Sequence, residues 1–352
     1  MQAHHLLVFL FLCVSPAIAQ SLLTVLQENG FTEYARLLEG DPILSAGPGL
    51  IVYSPTNSAL VRNENSTVAR RAAARANNQA GNSFSCVNAT APVWVDPSDW
   101  YDSQRGNRTS RLFRKQRTSG GSVYGTLLGD PEWVNLGPGR NQTLVEKTVS
   151  SSSQPLVFSG LGASVSIIAS DIPFDGGVIR PIDGVLTLPR NLSDTLPFLG
   201  ADTFSTALEK AGLLSDLDNR AAITVLAPDN AAFKNVSGLS DAQLAQALAG
   251  HIVLDFPAYT PMLKDGHTYR TLGGDNVTVS VRDGVVYIND AQILAGDALI
   301  KNGVVHTIDK LLTTTPVTPV PVAAGTITKP LSRMALVFTV VSMAVAFRQW
   351  SL

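Results

Sequence analysis

One stretch of this chain occurs twice, and that limits its possible folds more than any other feature. Residues 50–60 read LIVYSPTNSAL and residues 223–233 read ITVLAPDNAAF. Each copy is followed much later by a second related segment, GVIRPIDGVL at 177–186 and GVVHTIDKLL at 303–312. Two signatures in the same order, twice, are an internal duplication. The chain is therefore read as two copies of one structural unit.

The second copy is the clearer. Asp202 or Thr203 can cap a helix running to Ala211, with Phe204, Leu208 and Ala211 on one face and Gly212 as its stop. Residues 222–226 are an apolar, β-rich run and predict a buried strand, which Pro228 and Asp229 end. Asp229 is placed to cap a short turn carrying Ala232 and Phe233. Ser240 and Asp241 open a further helix that ends at Gly250, after which His251, Ile252 and Val253 return to extended chain. From there the pattern is β. Residues 277–282 alternate apolar and polar, and Asp283-Gly284 joins them to 285–288 as a hairpin. Asn302-Gly303 predicts a second hairpin of the same kind. Helices first and antiparallel strands later indicate an α+β domain rather than a parallel βαβ sheet.

These boxes resemble the pair that open and close the core of a fasciclin (FAS1) domain. The opening box matches at Thr224, Val225, Ala227, Pro228, Asp229, Ala231 and Phe233. The closing box matches at Gly303, Val305, His306, Ile308, Asp309 and Leu311, and His251 stands where the family carries a His after its central helix. In the first copy the match is looser: Pro55 and Asn57 are kept, Thr56 replaces Asp229, and Arg180 replaces His306. The resemblance implies two tandem FAS1-like domains, each a wedge-shaped β-sandwich with packed helices. Residues 20–189 form the first, divergent copy, with a polar, basic insert at about 62–121, and residues 190–313 form the second. The insert includes Arg70, Arg71, Arg105, Arg108, Arg114 and Lys115, with Trp94, Trp100 and Tyr101 among them; a solvated loop and a contact for acidic polymers are both open.

The two ends read as export signals. Residues 1–19 have an apolar core and an Ala17-Ile18-Ala19 cleavage triplet, so Gln20 is expected to begin the mature chain. Beyond residue 313 lies a Thr/Pro stalk at 314–325, then a polar spacer and an apolar tail at 326–352. That layout is a GPI-attachment signal with Ala324 as the attachment residue. A transmembrane helix is the competing reading, although the apolar run falls short of the roughly 20 residues a bilayer needs. Asn65, Asn88, Asn107, Asn141, Asn191, Asn235 and Asn276 each open an Asn-x-Ser/Thr acceptor triplet. Cys13 lies in the leader, so Cys86 is the thiol of the mature chain, read as a lone thiol in the irregular insert with no intramolecular disulfide.

No catalytic constellation is legible: the His-Glu-x-x-His, Gly-x-Ser-x-Gly, Cys-x-x-Cys and phosphate-loop patterns are all absent. His251, His267 and His306 are too scattered for a metal site, and His251 and His306 read as buried, hydrogen-bonded groups. No cofactor is expected, and a net charge of −2 argues against nucleic acid. The family implies adhesion at the cell surface or wall, with an extracellular protein or polysaccharide as partner and the membrane reached through the lipid anchor. Within that reading His251, Ile252 and Val253 are the first contact residues to test, and Thr224, Pro228, Asp229, Phe233, His306 and Asp309 are structural. A non-adhesive wall component, or a carrier of a small apolar ligand, is the alternative. The sequence leaves the oligomeric state open.

Overall fold

Both copies of the opening box are buried strands, and both copies of the closing box lie parallel to them. In the computed structural model β1 (Leu50–Pro55) pairs with β8 (Gly177–Ile182), from Leu50↔Gly177 to Pro55↔Ile182. β9 (Ile223–Pro228) pairs with β15 (Gly303–Ile308) in the same register, from Ile223↔Gly303 to Pro228↔Ile308. The described residues are 20–45, 48–64, 82–83, 85–88, 120–149, 152–235 and 240–312. The leader, most of the basic insert, the stalk and the tail, with Asn65, Asn107 and Ala324, lie outside them.

The first residue of each closing strand explains its identity. A Cβ on Gly177 would lie 2.0 Å from the Leu50 carbonyl oxygen, and one on Gly303 would lie 1.8 Å from that of Ile223. Only glycine lets the two backbones approach so closely.

The remaining strands are antiparallel to their partners and follow one another in the same circuit in both repeats. In the first repeat β2 (Cys86–Asn88) flanks β1, while β7 (Ile172–Phe174) flanks β8. A separate sheet runs β3 (Gly121–Gly125), β4 (Thr143–Lys147), β5 (Leu156–Phe158) and β6 (Ser164–Ser166). Single bridges, Val87↔Thr126 and Ile167↔Ile182, join the two sheets at either end. In the second repeat the same circuit is one seven-stranded sheet. It comprises β9, β15, β10 (Ile252–Val253), β11 (Thr268–Arg270), β12 (Asn276–Arg282), β13 (Val285–Ile288) and β14 (Ala291–Ile300), in the order β10-β9-β15-β14-β13-β12-β11. A Val253↔Thr271 bridge then brings its ends together. The long β14 thus does the work of both β6 and β7.

Helices cover the outer face of each parallel pair. α1 (Leu22–Glu28) and α2 (Thr32–Leu38) bury Val25, Leu26, Tyr34, Ala35 and Leu38. α3 (Asn57–Glu64) follows β1. In the second repeat α4 (Leu192–Thr195) runs into a 3-10 turn at Leu196–Leu199, followed by α5 (Asp202–Lys210) and α6 (Leu214–Asn219). α7 (Asp241–Ala249) carries a complete capping box between Ser240 and Gln243. Gly30 and Gly200 turn the chain in the left-handed region at equivalent points, with φ of 83° and 67°.

Among the described residues the core has three parts. One packs α1 and α2 on Leu50, Val52, Cys86 and Ile179; a second packs α5 on Ile223, Val225, Ile252 and Val305. The third holds Tyr53, Val145 and Ile182 of the first repeat together with Leu226, Val304 and Ile308 of the second, so the inner faces of both sandwiches share one interior.

Three local expectations change. The second hairpin forms, but its loop is Lys301-Asn302, because Gly303 is needed in the strand for the close approach described above. The N-terminus of α5 is not capped by Asp202 or Thr203. Ala201 takes the cap position and Asn230 Oδ1 accepts the Thr203 N–H at 2.9 Å. Asn57 does the same in the first repeat, accepting the Glu33 N–H at 3.0 Å. Cys86 is not in an irregular loop either: it is a fully buried residue of β2, inside the span read as insert, and burial pushes its thiol well above the ordinary range.

Candidate functional site

The box residues are held by internal bonds. Thr224 Oγ1 donates to the Phe256 carbonyl and accepts the Ala258 N–H, both at 2.7 Å, which ties β9 to the loop that crosses it. Pro228 ends the strand. Asp229 Oδ1 then accepts the Ala232 N–H at 2.7 Å, and Thr56 Oγ1 accepts the Ala59 N–H at 3.2 Å in the first repeat. The Thr56/Asp229 exchange therefore keeps the same cap. Phe233 is half-buried and packs 6.1 Å from Phe204, ring centre to ring centre. Asp309 Oδ1 accepts the Gln292 N–H at 2.7 Å, and Asp183 Oδ1 accepts the Ser166 N–H at the same distance.

His251, Ile252 and Val253 do not offer a contact surface. They are 0%, 0% and 4% exposed, because β10 is pinned between β9 and the 271–272 segment. His251 Nδ1 donates to the Ala247 carbonyl at 2.7 Å and Nε2 accepts the Leu312 N–H at 2.9 Å. The ring thereby joins the end of α7 to the chain after β15. Burial lowers its pKa to about 4, so it is neutral in the folded protein.

The register places His306 opposite Leu226 and Arg180 opposite Tyr53, so the two are equivalent. His306 is fully buried. Its Nε2 donates to the Ala258 carbonyl at 2.8 Å and its Nδ1 accepts the Asp297 N–H at 3.2 Å, which fixes a neutral ring whose pKa burial lowers. Arg180 grips Asp171 with two bonds of 2.7 and 2.6 Å and reaches Glu146 Oε2 at 2.6 Å, which also accepts from Tyr53 Oη. Burial opposes its charge, but these carboxylates hold its pKa above the ordinary arginine value.

The pairs Ile172↔Ile179 and Ala298↔Val305 make Asp171 and Asp297 equivalent as well. Asp297 is fully buried at an irregularity in β14, with φ of 69°. Its carboxylate accepts the Thr260 N–H at 2.7 Å and the Thr260 hydroxyl, and pairs with Lys147 Nζ at 2.5 Å. Burial works against the charge, yet Lys147, His306 and Thr260 together keep its pKa low. Sequence reasoning missed both aspartates, although the signal is present: IIASD at 167–171 repeats as ILAGD at 293–297.

What faces outward is different chemistry. Asn141, Asn191 and Asn276 are exposed; for Asn88 and Asn235 only the backbone is described. Phe198 is 70% exposed, and Ile168 and Leu294 occupy equivalent exposed positions. A cavity of about 280 Å³ between α1, the Pro42–Ser45 turn and β7 is lined by Leu22, Leu23, Ile43, Leu44, Leu50 and Phe174, with Ser21 and Asp175 at its polar side. Among the described residues no three His, Cys, Asp or Glu side chains gather to hold a metal. Among them, too, no helix is long and apolar enough to cross a membrane.

The fasciclin domain family model matches residues 200–314, the span built around β9, β15 and His251. A cyanobacterial relative, protein sll1483 of Synechocystis, is 30% identical over 125 residues, covering 32% of this chain and 68% of that protein. The chain belongs to the fasciclin (FAS1) domain family. A fasciclin-like arabinogalactan protein of Arthroderma benhamiae is 31% identical over 191 residues, covering 53% of this chain and 44% of the relative. The fasciclin-type chain spans about half the length of the curated relatives it matches. A solved FAS1 domain pair from the insect cell adhesion molecule Fasciclin I aligns over 82% of this chain and 98% of its own, at 14% identity and a TM-score of 0.37.

Proposed function

We propose that this fasciclin-type protein is a non-enzymatic binding protein of the cell surface, exported by residues 1–19, tethered through a GPI anchor at Ala324 and contacting matrix or wall protein or polysaccharide. The observation that supports it is the use made of the box residues. Thr224, Asp229, His251, His306 and Asp309 all hydrogen-bond within the fold, so the duplicated motif builds a scaffold and leaves the exposed loops and strands for contact. Two such repeats on one tethered chain suit weak sites that gain strength together.

The test is a glycan-array and cell-binding screen of the secreted ectodomain, residues 20–313, with phosphatidylinositol-specific phospholipase C applied to whole cells. Binding above a leaderless control and release by the enzyme are expected. Absence of binding to any cell or glycan overturns the adhesive reading, and protein that stays on the cells overturns the lipid anchor.

The carrier reading keeps one specific observation, the apolar cavity beside Leu22 and Phe174. Saturable uptake of a fluorescent apolar probe, abolished by Leu50→Trp, is the result that would favour it.

A further inference from the structure

We infer that the second repeat is completed by the first: Lys147 is the countercharge of buried Asp297, and the two repeats therefore open and close as one unit. Asp297 lies wholly inside the protein, where an unpaired carboxylate is strongly unfavourable. The cation that meets it comes from β4, 150 residues earlier in the chain. Lys147 itself is held in place, its side chain 15% exposed, with Nζ donating to Thr260 Oγ1 at 2.9 Å and lying 4.4 Å from the centre of the Phe158 ring. The neighbouring residue Glu146 turns the other way and serves Arg180 within the first repeat. Alternation along one strand thus sends Glu146 to Arg180 in the first repeat and Lys147 to Asp297 in the second.

The backbone makes the same connection independently. At its C-terminal end β14 pairs with β15 on one side, while β13 reaches only its start, at Ala291 and Gln292. The other side of that end is covered by the first repeat and the junction. The Leu299 N–H donates to the Ser159 carbonyl at 3.1 Å, the Lys301 N–H to the Arg190 carbonyl at 2.8 Å, and the Asn135 N–H to the Lys301 carbonyl at 2.7 Å. Gln142, fully buried, adds a bond from Nε2 to the Ile300 carbonyl at 3.1 Å. Without the first repeat this stretch is an open strand edge beside an uncompensated charge. The inference holds whatever the ligand is, and it makes the pair, rather than either repeat, the unit that presents a surface.

Hydrogen exchange on the whole secreted protein tests it. In Lys147→Met the amides of β12 and β13, which belong to the second repeat, are expected to exchange on the order of a hundredfold faster. The denaturant midpoints read by the amides of β3 and β4 in the first repeat and by those of β12 and β13 are expected to fall together. In Lys147→Met/Asp297→Asn, where the stranded charge is gone, exchange returns to within about tenfold of the parent. Unchanged exchange in Lys147→Met, or midpoints that separate for the two repeats in the parent protein, overturns the inference. If Lys147→Met is not secreted, secretion of the double variant supports it and failure of both counts against it.

Discussion

The two repeats solve one problem with different degrees of continuity. The second carries its long β14 unbroken from Ala291 to Ile300, so a single strand pairs with both β13 and β15. In the first, the equivalent stretch is split into β6 and β7 around residues 167–171, and two four-stranded sheets touch through single bridges. Position 180/306 differs in step. The second repeat places a neutral, fully buried histidine there, while the first places an arginine that needs Asp171 and Glu146 beside it. The lesson is that the parallel pair and its glycine are the invariant of this fold, and the strands around it can break without loss of topology.

That comparison can be broken most forcefully at the glycines. Gly303→Ala puts a Cβ into the Ile223 backbone, and Gly177→Ala does the same at Leu50. Each is expected to cost about 3 kcal/mol or more in urea denaturation, since backbone on both sides leaves nothing to give way. A small loss at 177 alone would show that the divergent repeat has relaxed its parallel pair.

A pH series sharpens the contrast at the next level. His251 is neutral in the fold, with a pKa of about 4, whereas an unfolded histidine titrates near 6.5. Below that value the unfolded chain binds the extra proton, so stability is flat above about pH 7 and declines as pH falls from 6.5 towards 4. The expected loss between pH 7.5 and 5 is about 2 kcal/mol from His251, with His306 adding in the same direction. Ser85, the first repeat's counterpart of His251, does not titrate, so this slope originates in the second repeat and His251→Gln should remove the His251 share of it. A slope unchanged in His251→Gln would remove the distinction.

The smallest effect expected is at the remote caps. Asn57→Ala and Asn230→Ala each leave a helix N-terminus without its acceptor, and each should cost about 1 kcal/mol. Matching losses would show that this cap is common to both repeats.

These residues also show what could be read in advance. The boxes were legible because they occur twice, and the helix start at Ser240 and the Asp283-Gly284 turn because their partners lie within a few residues. The cap of α5 was not, since Asn230 reaches Thr203 from 27 positions away. The second hairpin was placed one residue late because Gly303 looks like a turn glycine until β9 is laid beside it. The ion pair of Lys147 with Asp297 crosses from one repeat to the other, and no local pattern announces it. The contact that the family resemblance implies at His251, Ile252 and Val253 meets a related obstacle: extended chain read from sequence does not say that both of its faces are covered.

One detail of the first repeat has a practical use. Cys86 sits at the sheet edge against Val52, with Tyr34 close by, out of reach of any reagent in water. An alkylating label added to the folded protein should therefore stay unreacted until β2 peels away. The mass gained over time becomes a stopwatch for the opening of that sheet edge, readable at a thiol the chain already carries.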